Sequence, residues 1–196
     1  MFHVKHKPLP NPEPMAVRLD ALARWLAASA VPLGLTGYRD ASSIWAQAME
    51  PALLLPRMFC ASIVGPWLEI GAGSGALGLT LAILSPAAHL TLADRRERVV
   101  AHLDLAIRRL AATNAEAHLA RMGSASPPHR WVGVCLRALA EPTASLDIAQ
   151  RHAQRWICTW HSPSIAAYDD APRGFDVVAR DQTTRGDLCA TLYRRR

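Results

Sequence analysis

The sequence predicts an α/β domain whose doubly wound sheet is mostly parallel, closes with a C-terminal antiparallel hairpin and is preceded by N-terminal helices. Three observations predict it: a glycine-rich turn between an apolar strand pattern and an apolar helix pattern, an alternation of strands and helices after that turn, and two final strand patterns joined by a connector too short for a helix. Strands joined by so short a connector must be antiparallel. The 196 residues suit one such domain.

The pattern at the start of the chain predicts helices that precede the first strand of the sheet. Residues 1–14 carry four prolines among basic and polar groups, which is typical of a mobile arm. Apolar residues recur at helical spacing over residues 15–30, and a second helix is predicted over residues 43–58. The predicted division is an arm, a helical extension and a core, the last two forming a single domain: residues 1–14, 15–60 and 61–196.

The second predicted helix has a start signal and an interruption. Asp40 or Ser42 stands where a side chain accepts hydrogen bonds from the first backbone N–H groups of a helix. Pro51 lies inside the pattern and lacks an N–H group, so we expect it to kink or divide the helix.

Residues 67–78, WLEIGAGSGALG, predict a site for a nucleoside-bearing cofactor. Strand, glycine turn and helix in this order open doubly wound domains, and glycines there let a ligand approach the backbone. The carboxylate before the turn can accept a hydrogen bond from a cofactor ammonium group; otherwise it faces solvent or pairs with an arginine. The predicted cofactor-binding residues of this segment are Glu69, Gly71, Ala72, Gly73 and Gly75.

A second strand, over residues 89–93, ends in Asp94. An acidic residue at this place, roughly 20 residues beyond the glycines, usually grips the ribose hydroxyls of a nucleoside. The alternative is that Asp94 caps the helix that begins at Arg95. We count Asp94 and Arg95 among the predicted cofactor-binding residues.

The remaining elements continue the alternation of strands and helices. Helical spacing predicts helices over residues 95–112 and 143–154. Apolar runs predict strands over residues 117–120, 131–136, 156–160, 175–179 and 188–193.

The glycine turn fits two cofactor classes. GAGSGA also matches the dinucleotide pattern GxGxxA, which keeps NAD open. NAD domains usually continue with parallel strand–helix units, whereas an antiparallel ending resembles the class I methyltransferase fold. The ending therefore favours S-adenosyl-L-methionine.

Composition bears on partners and compartment. A net charge of +6 and a pI near 9.7 favour a polyanionic partner. The apolar runs are too short or too interrupted to span a bilayer, and the N-terminus has no signal-peptide pattern. The four cysteines form no CxxC pair, so we expect buried thiols in a reducing cytoplasm and no metal site: Cys60, Cys135, Cys158 and Cys189.

An ordered set of short motifs runs through most of the chain, from about residue 15 to the end. It comprises Leu35-Thr36, Arg39-Asp40, the glycine segment 68–81, Leu90–Asp94, Arg98-Val99 and Leu136-Arg137-Ala138. In this order the motifs resemble those of the small-subunit rRNA guanine-N7 methyltransferases, also called glucose-inhibited division protein B.

The resemblance implies a Rossmann-like, S-adenosyl-L-methionine-dependent enzyme that methylates guanine N7 in 16S ribosomal RNA. It adds Arg121 and Arg137 to the predicted site, as contacts to the cofactor or to RNA phosphate. The implied partner is 16S rRNA or the small ribosomal subunit, and we expect a cytoplasmic monomer with no metal and no membrane contact.

Methyl transfer to guanine N7 removes no proton, so it depends on positioning rather than on a catalytic base. For that reason we name no catalytic residue. Trp160 and His161, at the end of a strand, can stack on an RNA base, and Trp160 can instead pack in the core. Two other functions stay open, a methyltransferase of the same fold acting on a small metabolite and a non-catalytic relative that binds RNA or cofactor; an NAD oxidoreductase ranks last.

Overall fold

A computed structural model describes residues 14–120, 131–137, 141–168 and 170–196 of the chain. The α-helices are α1 Met15–Ser29, α2 Ala41–Ile44, α3 Leu54–Phe59, α4 Ala76–Leu84, α5 Glu97–Arg109 and α6 Pro142–His152. The strands are β1 Gly65–Ile70, β2 Ala88–Asp94, β3 Ala115–Leu119, β4 Trp131–Arg137, β5 Ala153–His161, β6 Phe175–Gln182 and β7 Cys189–Arg195. A π-helix, Trp45–Met49, and two 3₁₀ segments, Glu50–Leu53 and Ala166–Tyr168, complete the elements.

The seven strands form one sheet in the order β3-β2-β1-β4-β5-β7-β6. The first five are parallel, and β7 pairs antiparallel with both β5 and β6. This confirms the predicted mostly parallel sheet with its antiparallel closing hairpin. Strands β2 and β3 lie on one side of β1, and β4 and the later strands lie on the other. The strand order therefore reverses between β1 and β4. The carboxyl ends of strands at such a reversal border the crevice in which ligands bind in this class of sheet.

Apolar side chains fill both faces of the sheet. One large cluster packs α1, α4 and α5 against it, and a second joins α6 to the other face. Helix α4 is buried almost all round, which explains its nearly uniform apolar sequence. Leu22 and Leu26 of α1 have no exposed surface, and burying each contributes about 1.5–3 kcal/mol. The N-terminal helices are therefore part of the core and help to hold α4 in place.

The predicted second helix is divided into four pieces. Asp40 caps α2 as predicted, with a capping box to Ser43. The chain then changes to π-helix and 3₁₀-helix before α3 begins. Pro51 cannot donate to the carbonyl of Gln47, four residues earlier. Arg137 of the sheet donates to that carbonyl instead, at 2.6 Å.

Some expectations fail, or fall outside the described residues. Cys135 and Cys158 are buried as predicted, but Cys60 is exposed because it follows α3 in a left-handed turn at the surface. The predicted arm lies outside the described residues except for Pro14, which precedes α1. Within the described residues, no helix is long and apolar enough to cross a membrane.

Candidate functional site

A cavity of about 420 Å³ lies between the glycine turn and the N-terminal helical segment. The described residues that line it come from the turn and the start of α4, from the ends of β1 and β4, and from the stretch before and within the π-helix. They are Leu35, Thr36, Gly37, Tyr38, Ala48, Glu69, Gly71, Ala72, Gly73, Ser74, Ala76, Leu77 and Arg137. Residues 35–38 and Ala48 were not predicted to line the site, although Leu35-Thr36 belongs to the motif set described above.

The three predicted glycines all have left-handed backbones, but they are needed for different reasons. Their φ angles are 75° at Gly71, 56° at Gly73 and 79° at Gly75. A Cβ atom on Gly75 would lie 2.5 Å from the side chain of Leu103, so this glycine lets α5 pack closely. A Cβ on Gly73 would meet only the carbonyl of Gly71, at 3.8 Å. Gly73 therefore leaves open space for a ligand beside its backbone.

Glu69 is a buried carboxylate that faces this cavity. Only 3% of the residue is exposed, and its Oε2 atom has no hydrogen-bond partner among the residues that the structure describes. Burial raises the pKa of Glu69 to about 8, and Asp94 adds to the increase, whereas the nearby backbone N–H of Gly78 and the charge of Arg137 lower it. At neutral pH Glu69 is therefore mainly in its neutral form.

Gly78 is a functional glycine that sequence analysis left out. A Cβ atom there would lie 2.2 Å from Oε2 of Glu69 and 2.3 Å from Leu92. Glycine is thus required in α4 so that the carboxylate has room. The signal was present in the sequence, as the last residue of WLEIGAGSGALG.

Asp94 lies next to the turn, but it is covered. Its carboxylate accepts from the backbone N–H of Gly73 at 3.1 Å and from the backbone N–H of Arg96 at 3.0 Å. The Arg96 guanidinium binds both carboxylate oxygens, at 3.1 and 3.2 Å. Burial by itself would raise the pKa of Asp94, but the hydrogen bonds from Arg96 and Gly73 outweigh it and the pKa is lowered. Asp94 thus contacts the cavity wall through Gly73. It does not cap the helix, because α5 begins at Glu97 with Arg96 as its N-cap and no side-chain cap hydrogen bond, so the alternative prediction is wrong.

Arg137 and Arg95 differ in position, and Arg121 lies outside the described residues. Arg137 lines the cavity and donates to the carbonyls of Gln47 and Ala48 at 2.6 and 3.3 Å. Arg95 is exposed and is not among the described residues that line the cavity.

A histidine that sequence analysis did not single out supports the turn. His102 of α5 is buried, lies 3.3 Å from the carbonyl of Ser74 through Nε2, and packs against the ring of Trp25 in α1. Burial lowers its pKa, so the ring stays neutral and can donate to that carbonyl. Helices α1 and α5 therefore hold the turn from its buried side.

The base-stacking role considered for Trp160 and His161 is wrong for the arrangement in this structure. Trp160 is 1% exposed and donates to the carbonyl of Pro51 at 2.7 Å. His161 is buried, stacks on Tyr168 and lies 3.0 Å from Thr191 Oγ1. Both side chains pack in the core, which was the alternative prediction for Trp160.

A match to a protein-family model shows to which family the chain belongs. The model of the family described as rRNA small subunit methyltransferase G matches residues 16–156. The chain belongs to this family. The match covers the N-terminal helices, the glycine turn and the sheet as far as β5.

Curated relatives carry the same description. Ribosomal RNA small subunit methyltransferase G of Histophilus somni (strain 2336) is 32% identical over 94 residues, 45% of this chain and 44% of the relative. The protein of that name from Pasteurella multocida (strain Pm70) is 36% identical over 84 residues, 43% of this chain and 40% of the relative. The matched part of the chain thus spans less than half the length of these relatives.

Solved structures agree on the fold. A SAM-dependent methyltransferase from Aquifex aeolicus superposes with a TM-score of 0.63 at 14% identity, covering 87% of this chain and 98% of that one. Magnesium protoporphyrin IX methyltransferase from Synechocystis PCC 6803, with bound SAM, superposes with a TM-score of 0.65 at 12% identity, covering 97% and 100%. The chain therefore has the Rossmann-like fold of the class I methyltransferases, as predicted.

Proposed function

We propose that the protein transfers a methyl group from S-adenosyl-L-methionine to guanine N7 of 16S ribosomal RNA. The observation that carries the proposal is Glu69, a buried carboxylate that lines the cavity and whose Oε2 atom has no hydrogen-bond partner among the described residues. A buried acceptor of this kind costs free energy unless a ligand satisfies it. Family membership supplies the substrate class, since the curated relatives are named as methyltransferases of small-subunit rRNA.

The described residues fit a sulfonium nucleoside. The cavity volume of about 420 Å³ falls within the range of roughly 300–1,000 Å³ that is usual for small-molecule sites. Glu69 would accept from the cofactor's ammonium group, Asp94 from its ribose hydroxyls, and the open backbone at Gly73 would lie against the nucleoside. Among the described residues lining the cavity, Arg137 is the only cation and Glu69 the only carboxylate.

The bound cofactor would supply an electrophilic methyl group, and the chain would supply position. Guanine N7 carries its own lone pair and loses no proton, so no base is needed at the reacting atom. The task of the site is to hold the methyl group and the guanine in line and to keep water out. Residues 35–38 and Ala48 line the same cavity as the glycine turn, so they would help to exclude water from it.

The RNA side of the proposal rests on charge. The chain carries a net charge of +6, and exposed arginines lie near the carboxyl end of β2: Arg95, Arg96 and Arg98. Lysine and arginine bind phosphate groups regardless of base sequence. We propose that 16S rRNA or the small ribosomal subunit is the partner. We also propose that the protein acts in the cytoplasm as a monomer.

Two experiments test the proposal. Calorimetry with S-adenosylmethionine, S-adenosylhomocysteine and NAD should detect the first two ligands and no NAD; binding of NAD alone would overturn the cofactor assignment. Incubation of the protein with S-adenosylmethionine and 16S rRNA from a strain lacking the gene should restore 7-methylguanosine, measured by mass spectrometry of nucleosides. Cofactor binding with no methylation of rRNA or of small ribosomal subunits would overturn the substrate assignment.

A further inference from the structure

The carboxylate of Asp94 has no free acceptor position in this structure. A carboxylate offers about four hydrogen-bond sites, two on each oxygen. Oδ1 accepts from the backbone N–H and from Nε of Arg96, and Oδ2 accepts from the backbone N–H of Gly73 and from Nη2 of Arg96. Only 4% of the Asp94 side chain is exposed, whereas 43% of the Arg96 side chain is exposed.

The four donors divide into two kinds. The backbone N–H groups of Gly73 and Arg96 belong to the turn and to the start of α5, so they keep the carboxylate in place. The guanidinium is a side chain that can rotate away. If it leaves, exactly one acceptor position opens on each oxygen. Two positions on two oxygens are what the adjacent hydroxyls of a ribose require.

We propose that Arg96 is a specificity-determining residue of the nucleoside site, because its guanidinium holds the two positions on Asp94 that a ribose diol must take. Ligand binding then exchanges two N–H donors for two hydroxyl donors, and the two backbone hydrogen bonds persist throughout. The inference rests on the proposed function, since it needs a nucleoside at the glycine turn.

The surroundings of Arg96 make its release easy. It is the N-cap residue of α5, and Arg95 and Arg98 flank it. Cations near the N-terminus of a helix are repelled by the helix dipole. A half-exposed arginine regains water when it turns outward, so the ion pair contributes only modestly to stability.

Selectivity follows from the exchange. A ligand with two adjacent hydroxyls restores every hydrogen bond that the guanidinium gave up. A ligand with one hydroxyl leaves a buried carboxylate oxygen short of a donor, which is costly. The arginine therefore acts as a competitor that only a complete ribose displaces fully.

The test is a variant that should bind better than wild type. Arg96→Met keeps the bulk of the side chain and removes its donors, so the Kd for S-adenosylhomocysteine in calorimetry at pH 7.5 should fall by about three- to tenfold. The same variant should unfold at a lower urea concentration when empty. Arg109→Met, which removes one exposed charge from the other end of α5, is the control and should leave the Kd unchanged.

Arg96→Lys grades the effect. One ammonium group cannot span both carboxylate oxygens as a guanidinium does, so its Kd should lie between those of wild type and Arg96→Met. An Arg96→Met variant that binds as wild type does, or more weakly, would overturn the inference, because Arg96 would then be neutral or a ligand contact. If wild type itself bound no S-adenosylhomocysteine, the proposed function would fail first, and the two failures are thus distinguishable.

Discussion

At the scale of single residues, Glu69 couples cofactor binding to pH. Its pKa in the empty protein is about 8, and an ammonium ligand binds the ionised form. Binding below pH 8 must therefore release a proton, and the affinity for S-adenosylhomocysteine should rise by up to about tenfold per pH unit from pH 6 to pH 8. Calorimetry in buffers of different ionisation enthalpy measures the proton released.

Glu69→Gln serves as the control for this profile. It keeps the shape of the side chain and cannot ionise, so it should bind weakly at every pH in that range. A flat profile for wild type, with no proton released, would show that Glu69 does not face the ligand's ammonium group.

The same carboxyl group should make the empty protein less stable as the pH rises. A raised folded-state pKa means that the unfolded chain loses its proton first, between pH 4.5 and 8. The free energy of unfolding should therefore fall by up to about 1.4 kcal/mol per pH unit across this window. His102 and His152 have lowered pKa values and act in the opposite direction below pH 6.5. The informative quantity is thus the free energy of unfolding of wild type minus that of Glu69→Gln, measured by urea denaturation. This difference should fall from pH 5 to pH 7.5.

Gly73 and Gly174 allow backbone strain to be separated from ligand space. Both have positive φ angles, 56° and 82°, and neither would bring a Cβ atom within 3.4 Å of another atom. Gly73→Val and Gly174→Val should each cost about 1–3 kcal/mol of stability, but only Gly73→Val should abolish binding of S-adenosylhomocysteine. Calorimetry and urea denaturation give the two quantities, and equal binding by both variants would mean that the ligand lies elsewhere.

At the scale of elements, the sequence predicts what is local and misses what is joined over long distances. Strand β1, the turn and α4 were predictable because glycine spacing and apolar periodicity lie within one short segment. The π-helix at Trp45–Met49 was not, since Arg137, about 90 residues away in the chain, satisfies a carbonyl that Pro51 leaves without a donor. The ion pair by which Arg96 covers the carboxylate of Asp94 was also not predicted, because apolar periodicity does not indicate the direction of the Arg96 side chain.

Arg137 connects the π-helix to the charge of the site. It binds the carbonyls of Gln47 and Ala48 and lowers the pKa of Glu69. Arg137→Met should therefore move the midpoint of the pH profile of cofactor affinity above pH 8 and weaken binding at pH 7.5. Arg137→Lys keeps the charge and loses the paired hydrogen bonds, so it should keep the midpoint near pH 8 while lowering the urea midpoint. The same pH profile for Met and Lys variants would mean that Arg137 acts only through its hydrogen bonds.

At the scale of the whole molecule, the sheet brings three strand ends and one helical segment to a single place. The register pairs Ile70 of β1 with Ala93 of β2 and with Leu136 of β4. Glu69 directly precedes Ile70, Asp94 directly follows Ala93, and Arg137 directly follows Leu136. The three charged residues therefore lie together at the carboxyl ends of these strands. The N-terminal helical segment completes the cavity, so the site needs both the parallel sheet and the helices that precede it in the chain.

The overall charge should separate the two binding events by their response to salt. RNA binding by a chain of net charge +6 releases counterions, so its affinity for 16S rRNA should fall by at least about tenfold between 50 and 200 mM salt. Binding of S-adenosylhomocysteine in a partly enclosed cavity involves few exposed charges, so its Kd should change little over the same range. Filter binding for the RNA and calorimetry for the cofactor analogue measure the two responses on one preparation. Methylation should then decline with salt through the KM for RNA at constant kcat. An RNA affinity that ignored salt would show that the arginines do not contact phosphate groups, and would favour a small, weakly charged substrate in their place.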